Sequence, residues 1–181
     1  MAIFTLKGHA SRALDFYNKG DIYFAIGKYN KWDASSVPDF DPDRDYDVDP
    51  PLPANTDPFL EPIAYKYVQS RFMVVPDEDA GTLEYRGTRW RIVDPDDAVE
   101  QGARWVYITS ILEYSEMPTD KAYRQVGVYT GLVRAPGVPE DLYVLLPAQV
   151  ADPGILEILD NRKPVYRDAD VKEQIKLVLE F

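Results

Sequence analysis

Apolar and polar positions change rhythm several times along the chain, and each change predicts an element. Ala10, Ala13, Leu14 and Tyr17 recur at helical spacing, which predicts a short helix over Ala10–Lys19 stopped by Gly20. Asp21–Tyr29 carries β-branched and aromatic residues on both faces and predicts a well-buried strand. Ile63–Val75 predicts a second strand, closed by the turn cluster Pro76–Gly81. Thr82–Tyr85 and Thr88–Val93 flank Arg86-Gly87, the signature of a tight hairpin. Asp94 as N-cap, Pro95 at the first helical position and Gly102 as a stop predict a second short helix.

Strand rhythm then resumes. Arg104–Tyr114 and Tyr123–Arg134 are runs rich in Tyr, Val and Ile, separated by a polar break at Ser115–Asp120. Ile155–Tyr166 and Gln174–Phe181 form a last candidate pair, the latter alternating Ile175, Leu177, Leu179 and Phe181 with Gln174, Lys176 and Glu180, with Val178 as an exception on the polar face. Seven or eight strands and two short helices make a mainly β, sandwich-like fold, expected as one domain over residues 1–181. Trp105, Tyr107, Tyr114 and Tyr129 are expected in its core, because strand aromatics are usually core or cross-strand pairs.

One segment breaks every rhythm. Between Asp33 and Glu61 stand nine acidic residues and one basic one, Arg44, a net −8 that leaves only −3 for the other 152 residues. Seven of the fifteen prolines lie in this segment or at Pro62 just after it, and aspartate recurs at Asp39, Asp41, Asp43, Asp45, Asp47 and Asp49. Proline blocks helices and ladders, and clustered like charges repel. The expectation is an extended, mobile, acidic Pro-rich loop over residues 33–61, long enough to be either functional or disordered. A calcium loop of the EF-hand kind needs Gly at its sixth position and Glu at its twelfth, and counting from Asp39 or Asp43 gives neither.

Composition narrows the chemistry. Across 181 residues there is no Cys and one His, His9, so thiol chemistry, Cys-ligated metals and a His-rich metal site are excluded within one chain. His9 is expected as a surface or packing residue. No phosphate-binding glycine motif, nucleophile elbow or 18-residue apolar run occurs. The N-terminal lead is polar too soon for a signal peptide, so the expected setting is the cytoplasm. A net charge of −11 without a basic patch argues against nucleic acid, and neither a membrane nor a cofactor is expected. Paired carboxylates for glycoside cleavage and an aromatic row for binding carbohydrate stay open as alternatives. Arg86, Arg89, Arg91, Arg104 and Arg124 fall near aromatics, a combination favoured at interfaces as well as on ordinary strand surfaces.

Three patches in order carry a resemblance. Tyr23–Lys28 followed by Trp32 and the acidic Pro-rich stretch, then Tyr123–Leu132, then Asp160–Arg167 with the closing Gln174–Phe181, together resemble the baseplate wedge proteins of contractile-tailed bacteriophages. The resemblance implies a mostly β virion structural protein without enzymatic role, placed in the tail baseplate and assembled in the host cytoplasm. It implies contacts with other baseplate or tail subunits and a capacity to form a homodimer, with a neck or tail-tip protein as the alternative placement. Trp32, Asp39, Asp41, Asp43, Asp45, Asp47, Asp49, Arg86 and Arg124 are the candidate interface residues. Deleting Asp39–Asp49 is accordingly expected to spare the fold and weaken assembly.

Overall fold

Thr5 starts the first element: its hydroxyl accepts a hydrogen bond from the Gly8 N–H at 3.1 Å and caps α1, Leu6–Tyr17. The helix thus begins four residues before the expected start, and it stops at Asn18 instead of Gly20. A computed structural model describes residues 3–53, 59–113, 116, 122–167 and 170–181. The strands follow as β1 Ile22–Gly27, β2 Ala64–Tyr67, β3 Ser70–Pro76, β4 Leu83–Tyr85, β5 Thr88–Val93, β6 Trp105–Leu112, β7 Tyr123–Thr130, β8 Val133–Arg134, β9 Val144–Leu145, β10 Val150–Asp152, β11 Ile155–Val165 and β12 Glu173–Glu180. Two short 3-10 turns, Pro95–Asp97 and Pro147–Gln149, complete the set. Strand accounts for 41% of the described residues and helix for 11%, the mainly β class that the pattern predicts.

Contacts group the chain into two compact units. The first comprises Met1–Lys19, Val68–Ile111 and Gln174–Phe181; the second comprises Gly20–Tyr67 and Leu112–Glu173.

In the first unit the sheet runs β12-β6-β3-β5-β4. Ala10, Ala13 and Phe16 form the buried stripe of α1, and Met73, Val93, Val106, Ile108, Ile175, Leu177 and Leu179 supply buried side chains of the sheet. Fully burying a side chain such as Phe16 contributes about 2–3 kcal/mol. A second cluster, Val74, Trp90 and Tyr107 with Phe72, Leu83, Tyr85, Trp105 and Val178, explains why Val178 breaks the polar face of β12. The β4–β5 hairpin forms as expected: Tyr85 pairs with Thr88, and Arg86 and Gly87 both take positive φ, at 51° and 81°. The expected second helix is only the 3-10 turn Pro95–Asp97, capped by Asp94.

In the second unit the sheet runs β11-β7-β1-β2-β9, all neighbours antiparallel, beside a two-stranded β10-β8 sheet. Its core places Tyr23, Ala25, Tyr65, Tyr129, Leu132 and Leu145 together, with Tyr129 edge-on to both Tyr65 and Phe59. Burial beside these rings pushes the Tyr129 hydroxyl up to about 12.

Three strand expectations are corrected. Ile63–Val75 is two strands in different units, β2 and β3, because the chain changes sheets at Val68-Gln69. There the Gln69 N–H donates to the Thr109 carbonyl and its side-chain oxygen accepts from the Ile111 N–H. Tyr123–Arg134 likewise ends its first strand at Thr130; Gly131, at φ 74°, turns the chain into β8. Ile155–Tyr166 and Gln174–Phe181 do not pair with each other: β11 lies beside β7 and β12 beside β6. Tyr107 and Tyr129 are buried and Trp105 half-buried as expected of core positions, whereas Tyr114 lies outside the described residues. His9 is half-buried, its ring 5.6 Å from that of Phe4.

Candidate functional site

The acidic segment is an excursion between two neighbouring strands. The chain leaves the sheet at Gly27, and it re-enters at Ala64, which pairs with Ile26. Backbone bonds close the neck, Lys28 N–H to the Leu60 carbonyl and Ile63 N–H to the Ile26 carbonyl, each 2.8 Å. Close approach demands glycine here: a Cβ on Gly27 would stand 2.5 Å from the Leu60 oxygen and 2.6 Å from the Phe59 ring. Lys28, almost fully buried, donates through Nζ to Glu61 Oε1 at 3.0 Å, while Glu61 Oε2 accepts from the Asn30 N–H at 2.9 Å. Burial works against ionisation of Glu61 and is outweighed by the Asn30 N–H and Lys28, so its carboxyl sits below the usual range.

Beyond the neck the described part of the segment, residues 33–53 and 59–61, is folded, not extended; residues 54–58 of the expected loop lie outside the described residues. Trp32, Val37 and Tyr46 are buried against one another, with Phe40 and Leu60 packed alongside and the Phe40 and Tyr46 rings stacked 5.2 Å apart. The aspartate alternation serves the turns that make this possible. Asp33 Oδ1 accepts from Ser35 and Ser36, Asp41 Oδ1 from the Asp43 N–H at 2.9 Å, and Asp45 Oδ1 from the Asp47 N–H at 3.0 Å. Asp41-Pro42-Asp43-Arg44 places Asp and Pro at the first two positions of a β-turn closed by the Arg44 N–H on the Asp41 carbonyl. Pro42, one of the prolines expected to hold the segment open, instead sets a corner.

Strand β7 grips the folded loop from two sides, since successive residues of a strand face opposite ways. Arg124 forms a two-point bond to Asp47, at 2.7 and 3.2 Å, and gives a third donor to the Tyr29 carbonyl at 2.8 Å. Its side chain is only 3% exposed, and the guanidinium holds the Asp47 carboxyl below its usual range. On the other side, the Gln125 amide oxygen accepts from the Leu60 N–H, and its NH2 donates to Asn161 on β11, which donates to the Pro51 carbonyl at 2.9 Å. These clamps reach across 65 to 110 residues of sequence.

The structure thus brings together Trp32, Asp41, Asp45, Asp47 and Arg124 as parts of one folded loop and its anchor. Trp32 and Arg124 are buried, Asp41 and Asp45 cap turns, and Asp49 pairs with Arg44 at 2.7 Å. Asp39 and Asp43 are exposed, and their carboxylates have no bonding partner among the described residues. Arg86 is elsewhere, exposed on the β4–β5 turn of the first unit with its guanidinium over the Tyr85 ring. Sequence reasoning missed Lys28, Glu61, Gln125 and Asn161 as anchors. The available signal was glycine inside strands: a Cβ at Gly127, as at Gly27, would meet Phe59, at 3.0 Å. Among the described residues no three acidic or imidazole side chains converge at metal-ligand spacing, and no helix is long and apolar enough to cross a membrane.

What this geometry builds, among the described residues, is an acidic surface on a clamped base. Residues 1–181, the whole chain, match the family described as baseplate wedge 3 tail fiber network component. The chain is also 29% identical over 188 residues to Virion protein 3 of Enterococcus phage phiEF24C, covering 99% of this chain and 96% of that protein. The chain therefore belongs to the baseplate wedge 3 tail fiber network component family, and it is a bacteriophage virion protein of the baseplate.

Proposed function

We propose that the chain is a non-enzymatic subunit that joins other baseplate and tail proteins through protein–protein contacts, with the outer face of the acidic loop as one contact surface. The observation that carries this reading is the loop's construction. Buried clamps at Lys28, Arg124 and Gln125 fix its base, while Asp39 and Asp43 point their charge outward unpaired among the described residues. A loop held this way loses little conformational entropy on docking, so its charge acts on orientation and encounter with a basic partner surface. Arg86, on its exposed turn, is proposed as a second contact.

The double variant D39N/D43K tests this. Both side chains lie on the surface and bond to nothing described, and asparagine tolerates the positive φ of position 39, 55°, so the purified variant should melt with the parent, within about ±0.5 kcal/mol. Phage carrying it should yield markedly fewer complete tailed particles, and immunogold against the parent protein should label the distal end of intact tails. Normal particle yield from D39N/D43K phage would remove the loop from the contact surface.

A further inference from the structure

Tyr23 on β1 stands opposite Tyr67 on β2, and the Tyr67 N–H donates to the Tyr143 carbonyl at 2.9 Å, so three tyrosines line up across neighbouring strands. The Tyr23 and Tyr67 rings meet edge to face at 5.5 Å, and the Tyr67 and Tyr143 rings follow at 6.2 Å. Exposure rises along the row: Tyr23 is buried, Tyr67 half-buried and Tyr143 60% exposed. All three line a cleft of about 700 Å³ within the second unit, inside the usual ~300–1,000 Å³ range of small-molecule sites. None of its lining residues belongs to the acidic loop.

The polar groups of the cleft divide by sign. Arg134 is committed: Nη1 donates to the Pro139 carbonyl, and Nη2 to the Leu142 carbonyl at 2.9 Å and the Tyr23 hydroxyl at 3.2 Å. These bonds hold the stretch from Pro139 to Leu142 and fix a positive charge beside the tyrosine row. Asp21 and Glu140 also line the cleft; both are exposed, and neither carboxylate has a bonding partner among the described residues. The Asp21 charge is felt at the Tyr23 phenol: burial first, and Asp21 in lesser part, push that hydroxyl up against the opposing pull of Arg134. This inventory selects the guest. Ionised carboxylates only accept hydrogen bonds, so the open positions call for donors. An anionic guest meets two carboxylates, and a cationic guest meets the guanidinium already held there. A neutral polyol meets neither penalty: its hydroxyls donate to the carboxylates while the C–H face of its ring lies on an exposed tyrosine.

We propose that this cleft is a binding site for a neutral saccharide, stacked on Tyr143 and Tyr67 and hydrogen-bonded through its hydroxyls to Asp21 and Glu140. It adds recognition of a sugar to the assembly role. It does not depend on the acidic loop being a contact surface, and its test makes no reference to assembly, so the two readings fail separately.

Saturation-transfer difference NMR on the full chain tests this with the methyl glycosides of glucose, galactose, mannose and N-acetylglucosamine. Glucose 6-phosphate serves as the anionic probe and acetyl-triarginine amide as the cationic one. The expected result is saturable transfer to at least one neutral glycoside, strongest at its ring C–H protons, with both charged probes bound more weakly. Tyr143→Ala should weaken binding of that glycoside at least about tenfold, whereas Tyr143→Phe keeps the ring and should hold it within about twofold. The Tyr143 ring stands mostly in solvent, so the alanine variant should keep the parent's melting temperature. Asp21→Asn, a change at an exposed position, is the second variant and should weaken binding roughly tenfold, the value of one charge-assisted hydrogen bond. No transfer to any of the neutral glycosides, undiminished binding by Tyr143→Ala or by Asp21→Asn, or tighter binding of either charged probe would overturn the proposal.

Discussion

The two units build similar five-stranded sheets and stabilise their connections in opposite ways. The first holds nine basic and ten acidic residues, a net −1; the second holds eleven and twenty-one, a net −10. In the first, the turn before the β4–β5 hairpin is tied by its own neighbours: Asp77 accepts from the Asp79 and Ala80 N–H groups and pairs with Arg91 at 3.0 Å. In the second, the long excursion is tied by Arg124 and Asn161, 77 and 110 residues from their partners in the loop. Concentrated acid is therefore a fold element in one place only, where distant groups on other strands meet it. Charge alone would have predicted the reverse, an open loop beside a well-tied neutral unit.

The largest break in this comparison comes from removing one end of the long-range clamp. Asp47→Ala leaves a buried guanidinium with only the Tyr29 carbonyl, and uncompensated buried charge typically costs ~3–5 kcal/mol. Urea unfolding of the purified variant should show that loss in its midpoint. Asp77→Ala, in the locally tied unit, should shift the midpoint less, because the Arg91 side chain is 40% exposed against 3% for Arg124 and water screens the pair. Equal losses would erase the distinction between the units. The same logic revises the deletion expected to spare the fold: removing Asp39–Asp49 takes away Tyr46 and Asp47 together, and a large fall in melting temperature is now the outcome to expect.

The clamp also sets how acid acts. Asp47 and Glu61 both have folded-state carboxyls below their unfolded values, so their contribution is in place above the ordinary carboxylate range near pH ~4 and is lost as pH falls through the depressed values. Asp47→Asn should be less stable than the parent at neutral pH and should lose less on acidification. Parallel stability–pH curves for the two proteins would mean that Arg124 does not need the charge of Asp47.

A middle-sized effect tests the neck. Gly27→Ala puts a methyl group where the Leu60 carbonyl and the Phe59 ring already stand, backbone on one side and a packed ring on the other, so neither yields easily. A loss of about 1–3 kcal/mol is expected, the usual range for forced overpacking. Gly127→Ala should cost less, since its nearest neighbours are the side chains of Leu156 and Phe59 at 3.0 Å. Reversal of that order would show that the loop does not press on β1.

These contrasts explain what was legible from the chain alone. The hairpin at Arg86-Gly87, the buried strand at β1 and the alternation in β12 depend on neighbours within a few residues, and pattern carries that information. The sheet change at Val68-Gln69 has no Gly or Pro to mark it; it rests on Gln69 meeting Thr109 and Ile111, some 40 residues on. The loop failed for the same reason on a larger scale. Its prolines and aspartates have open-chain propensities, and tertiary groups override them. Yet Gly27, Lys28, Trp32, Arg124, Gln125, Gly127 and Asn161 all lie in the patches that carry the resemblance to baseplate wedge proteins, and all gather at the base of this loop.

The smallest expected effect is a gain, and it falls in the unit whose ties are local. Arg86 occupies the first inner position of a two-residue turn at φ 51°, a conformation that costs an ordinary side chain about 1–2 kcal/mol and asparagine less. Part of that cost is offset by the guanidinium resting over Tyr85, 5.4 Å from the ring centre. Arg86→Asn should therefore raise stability by about 0.5 kcal/mol, seen as a small rise in melting temperature, because a turn tied by its own residues responds to local propensity alone. If phage carrying Arg86→Asn then assemble poorly despite the more stable chain, the arginine serves a contact and not the turn; if they assemble as well as the parent, Arg86 leaves the proposed interface and the acidic loop stands without it.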